Sequence, residues 1–123
     1  MKDILFDDFQ NSVSELILRH RSIIDITSKM QEANARIQRA FAKAITQCGC
    51  ISIEAAKHTD HNNLSPDHIR GTLCKECRDT LEKEIGNYLF YLMAFMNSTD
   101  INCYDVLIKE IQHINLLNKF NIG

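Results

Sequence analysis

The sequence contains no tryptophan, one proline and four glycines among 123 residues. So little punctuation excludes a collagen-like repeat and a Pro/Gly-rich disordered chain, and leaves few places where a helix must stop. Charge bias is missing as well. The 14 basic residues face 16 acidic ones, for a net charge of −2, so no overall positive field draws the chain to nucleic acid or anionic lipid. No apolar run approaches the ~20 residues that cross a bilayer. The opening stretch, Met1 to Asp8, has acids where a secretory signal needs a basic flank and an apolar core, so a cytoplasmic protein is expected. What is present, 45% hydrophobic and 24% charged residues, fits one domain over residues 1–123 with a core of its own.

Apolar residues recur at three- and four-residue intervals from Phe9 to Ala44, through Val13, Leu16, Ile17, Ile23, Ile26, Met30, Ala33, Ile37, Ala40 and Phe41. The β-branched cluster Ile23 to Thr27 is the weakest helical stretch. Ser28 with Gln31 three residues on makes a capping box, which places a helix boundary there. The second helix is expected to end near Gln47, because Gly49 readily takes the left-handed conformation that closes a helix. Residues 51–73 read as a polar loop, with a short helix expected after Ser65. From Cys77 to Asn97 a third helix is apolar nearly all round, through Leu81, Ile85, Leu89, Leu92, Met93 and Met96 with Tyr88, Phe90, Tyr91 and Phe95. Such a helix wants burial on several faces, partly in a subunit interface. A last amphipathic helix follows the turn Asn97 to Asp100. Nothing alternates as a half-buried strand does, so the fold class is all-α with four or five helices in an antiparallel bundle.

Four of the five cysteines form two close pairs, Cys48-Gly49-Cys50 and Cys74-Lys75-Glu76-Cys77, separated by 23 residues. A reducing compartment argues against a disulfide framework. C-x-C and C-x-x-C joined by a loop supply the four sulfur ligands of a tetrahedral zinc site with no open position, which makes the zinc structural. An iron–sulfur cluster or an exchangeable thiol pair is the alternative. His58, His61 or His68 can replace a cysteine, although each reads more simply as a solvated loop residue. Cys103 reads as a core residue.

Two acidic stretches, Lys29 to Ala35 and Glu84 to Leu92, invite comparison with a known pattern. Together with Ala94 to Ile101, they resemble MazG-type nucleoside triphosphate pyrophosphohydrolases, all-α proteins with E-E-x-x-E on one helix and E-x-x-D on the next. The resemblance spans about Phe9 to Leu117 apart from the cysteine-bearing loop. It implies a magnesium site that binds a triphosphate while water attacks and pyrophosphate leaves. Matched residue by residue, the first motif reads Gln31, Glu32 and Ala35, and the second reads Glu84 and Asn87. Gln31 and Asn87 can ligate but carry no charge, and Ala35 cannot ligate, so magnesium binding is expected to be poor.

Simple geometry adds to this. If zinc pins Cys48 to Cys77 in antiparallel helices, Glu84 lies about 10 Å from the metal and Glu32 about 24 Å. The ordinary alternatives are an ion pair of Glu32 with Arg36, one turn away, and of Glu84 with the Arg39 to Lys43 turn. Arg36, Arg39 and Lys43 read as a solvated face, and Arg19, His20 and Arg21 likewise.

The expectation is therefore a MazG-like relative that forms a homodimer or higher homo-oligomer. It has lost most of its catalytic acids and serves as a nucleotide-binding or interaction module with structural zinc. The competing expectation is an active enzyme in which Glu32 and Glu84 hold magnesium, assisted by Gln31 and Asn87. A zinc-dependent nucleic-acid binder ranks last, because the aromatic residues fall in the expected core rather than among basic ones.

Overall fold

The computed structural model describes residues 4–17, 22–55 and 68–120. It is all-α apart from one small hairpin. In chain order come α1 (Ile4–Ile17), α2 (Ile23–Lys43), a wide π turn (Ala44–Cys48), β1 (Ile51–Ile53), β2 (Ile69–Gly71), α3 (Lys75–Ser98) and α4 (Cys103–Phe120). Among the described residues, no helix is long and apolar enough to cross a membrane.

The boundary expected at Ser28 lies earlier. Ser22 caps α2, its Oγ accepting the Asp25 N–H at 3.1 Å and its carbonyl the Ile26 N–H at 3.0 Å. The β-branched stretch is helical because Ile26 is fully buried, and that burial outweighs a propensity deficit of a few tenths of a kcal/mol per residue. Arg19, His20, Arg21 and the short helix expected after Ser65 lie outside the described residues.

The expectation of no strands is also corrected. β1 and β2 pair antiparallel, with Ile51 opposite Gly71, Ser52 opposite Arg70 and Ile53 opposite Ile69. The Glu54 N–H extends the ladder to the His68 carbonyl at 2.8 Å, and Arg70 meets Glu54 at 2.9 Å. Three-residue strands are too short to display alternation, and their pairing is specified by what lies at their ends.

The chain falls into two compact units, residues 1–30 with 89–123, and residues 31–88. In the first, Val13, Ile26, Met93, Ala94, Met96 and Cys103 form the core, flanked by Phe6, Phe9, Met30, Phe90 and Leu107. Cys103 is a core residue, as expected. The α3–α4 turn is fixed by the Ile101 N–H, which donates to the Met96 carbonyl at 2.8 Å, and by Asp100 in the left-handed region at φ 56°. Asn102 caps α4 through its Oδ1, which accepts the Asp105 N–H at 3.1 Å.

In the second unit the buried apolar residues among those described are Ala33, Ala44 and Ile51. Among the described residues of this unit, one isoleucine and two alanines make a small core. Units this poor in buried aliphatic surface ordinarily need a disulfide or a metal.

Candidate metal centre

The four paired cysteines converge in this second unit. The π turn delivers Cys48, and Gly49 follows with φ 80°, its N–H donating to the Ala44 carbonyl at 2.9 Å. The chain thus reverses just past the expected end of the second helix. Cys50 enters β1, its Sγ 3.9 Å from the Ala44 carbonyl oxygen. Cys74 sits immediately before α3 and Cys77 in its first turn. The Cys77 N–H donates to Cys74 Sγ at 3.4 Å, so a sulfur takes the place that a serine or aspartate oxygen occupies in an ordinary helix cap.

Gly71 brings the two pairs together. Its φ is 85°, and a Cβ at this position would stand 2.5 Å from the Cys50 carbonyl oxygen. Only a residue without a side chain lets β2 pass this close to the C-x-C turn. Sequence reasoning missed Gly71. Its one signal was an isolated glycine three residues before a cysteine.

All four sulfurs lie within 4.8 Å of one another, and Cys48 Sγ stands 3.8 Å from Cys74 Sγ. Four ligands each about 2.3 Å from a zinc at the centre of a tetrahedron are separated by about 3.8 Å, whereas a disulfide needs about 2.05 Å. All four cysteines are free. The spacing suits a shared metal ion such as zinc and does not suit two disulfides.

The electrostatics of the thiols agree. The Cys77 N–H and then the Cys77 thiol hold Cys74 down to about 7, below its ordinary 9.0. Cys77 is pushed far above the thiol range, first by its link to Cys74 and then by burial. Four thiolates packed this closely repel one another, and a divalent cation at their centre removes that repulsion.

Among the described residues, these cysteines are the one grouping of three or more Cys, His, Asp or Glu side chains placed to hold an ion. His68 begins the β2 side of the hairpin at φ 63° and is outside the grouping; His58 and His61 lie outside the described residues. The acidic pattern behaves differently. Glu32 accepts from Arg36 at 3.0 Å on an exposed face of α2. Gln31 and Asn87 are exposed and Glu84 is half-buried. The expected pairing of Glu84 with Arg39 or Lys43 is not found among the described residues, where hydration of both exposed cations competes with a weak surface bond. A polar cleft beside the α3–α4 turn is lined by Asp7, Gln10, Asn11, Asn97 and Asp100, and by none of Gln31, Glu32, Glu84 or Asn87.

Comparisons with protein-family models, with curated proteins and with solved structures find no match to this chain.

Proposed function

We propose that the chain is a non-catalytic, MazG-like helical module whose second unit is held together by one structural zinc on Cys48, Cys50, Cys74 and Cys77. The observation that carries this reading is the packing of four free sulfurs within 4.8 Å at the two ends of a hairpin. The small number of buried apolar side chains among the described residues of 31–88 supports it, because a metal would supply what that core lacks. Loss of catalysis is supported by Ala35, which offers no ligand, and by the engagement of Glu32 with Arg36.

What remains for the module is to bind a nucleotide or a protein partner. Self-association belongs to the same reading. Ile85 and Leu89 on α3, and Ile111 and Ile114 on α4, keep 41–52% of their surface exposed in the single chain.

Elemental analysis and a hydrolysis assay test it together. One zinc per chain is expected, with no turnover of a panel of nucleoside triphosphates in magnesium or manganese. Turnover above background that Glu84→Gln abolishes would establish the enzymatic alternative. Light scattering is expected to give a mass above that of one chain.

A further inference from the structure

Resting on the reading of the four cysteines as a zinc site, we infer that the centre is a redox-controlled clasp, which releases its metal when a peroxide-class oxidant joins Cys48 to Cys74.

The placement of the sulfurs carries the inference. Cys48 is exposed, whereas Cys50, Cys74 and Cys77 are half-buried, so a small oxidant in solution reaches Cys48 first. Cys74 Sγ is 3.8 Å away. Closing that gap to a bond of about 2.05 Å requires a local shift of the turn. The turn is open beside Cys48: a Cβ built on the neighbouring Gly49 meets no atom within 4 Å. Cys50 is held more firmly, with Gly71 against its carbonyl oxygen and the buried Ile51 following it. The accessible sulfur, beside the open side of the turn, is therefore Cys48.

The chemistry balances with hydrogen peroxide as the oxidant. The Cys48 thiolate attacks one peroxide oxygen; the O–O bond breaks, leaving a sulfenic acid on Cys48 and a hydroxide ion. The Cys74 thiolate then attacks the Cys48 sulfur. The S–S bond forms, the S–O bond breaks and a second hydroxide leaves. Two protons from solvent turn both hydroxides into water. The two cysteines together lose two electrons and the peroxide gains two. Cys50 and Cys77 are left as two ligands where a structural zinc needs four, and the ion departs. The small core of residues 31–88 then loses its staple, so oxidation loosens that unit.

The test uses the full chain loaded with one zinc and treated with hydrogen peroxide in the presence of a chromophoric zinc chelator. Stoichiometric zinc release is expected, with a Cys48–Cys74 linked peptide in non-reducing mass spectrometry, reversed by dithiothreitol and added zinc. Cys48→Ser is expected to slow release by about tenfold or more, while Cys103→Ser leaves it unchanged. If Cys48→Ser does not hold zinc, the peptide map of the unaltered chain decides. Linkage of Cys74 to Cys77 instead, release without a disulfide, or zinc retained for hours in millimolar peroxide overturns the inference and leaves the zinc reading standing. A chain that takes up no zinc before any oxidant is added overturns both.

Discussion

The side-chain carbonyl of Gln10 on α1 accepts the backbone N–H of Cys103, the first residue of α4, at 2.9 Å. The same side chain donates to the Ile101 carbonyl at 2.7 Å, and the Gln10 backbone carbonyl accepts from Asn97 Nδ2 at 3.0 Å. Gln10 is only 7% exposed; its bond to Cys103 is buried and the other two partly so, and together they link α1 to the α3–α4 turn. Gln10→Ala leaves a buried N–H without its acceptor. The expected cost is about 2–3 kcal/mol, seen as a lower urea midpoint at unchanged slope. Gln10→Glu keeps the acceptor but loses the donor to Ile101 and buries a charge, and should do no better. A change below about 0.5 kcal/mol in both variants would mean that the bonds contribute little.

Cys103 gives the first unit an alkaline limit. Burial, and then the carboxylate of Asp7, pushes its thiol above the ordinary 9.0. The folded chain therefore keeps this proton after the unfolded chain has lost it. The stabilisation is fully present below about pH 9 and falls away as the pH rises beyond that. Cys103→Ala is expected to cost about 1 kcal/mol at neutral pH through lost packing, and to flatten the alkaline decline in thermal melts. A decline equally steep in the variant would assign it to other groups.

Gly49 and Gly71 share a left-handed backbone and differ in their surroundings. At Gly49 an added Cβ meets open space, so Gly49→Ala carries only the conformational penalty, about 1 kcal/mol. At Gly71 the same atom collides with the Cys50 carbonyl oxygen, and either β2 or the C-x-C turn must move. Gly71→Ala is expected to weaken zinc binding by about tenfold or more in chelator competition, with Gly49→Ala close to the parent chain. Equal effects would show that the hairpin does not set the position of Cys50.

Local patterns were legible in the sequence, and contacts between distant segments such as Gly71 with Cys50 were not. Helices were readable because apolar residues recur three or four apart within each, as Phe9 and Val13 do on α1, Ile26 and Met30 on α2, and Met93 and Met96 on α3, and the cysteine cluster because C-x-C and C-x-x-C are local signals. The start of α2 was misplaced because Ser22 and Ser28 both precede helical sequence, and burial of Ile26 decides between them. The hairpin was invisible for a different reason. Its register depends on Ile51 meeting Gly71, far along the chain, a relation that no short window of sequence contains. The pairing of Glu32 with Arg36 was readable, being a contact within one helical turn.

Removal of the proposed zinc should act unevenly along the chain. The first unit buries Val13, Ile26, Met93, Ala94 and Met96 with Phe6, Phe9, Phe90 and Phe95 packed against them, whereas the described residues of 31–88 bury Ile51 and two alanines. Hydrophobic burial of ~25 cal/mol per Å² gives the first core the means to persist and the second very little against the entropy of ordering its backbone. Chelation followed by hydrogen exchange is therefore expected to strip protection from the amides of Ile51–Ile53, Ile69–Gly71 and the first turns of α3, while those of Val13, Ile26 and Met93 exchange as slowly as before. Equal loss of protection in both segments would show that the two cores open as one. No loss in either would mean that the hairpin stands without its metal and that the four sulfurs meet for another reason.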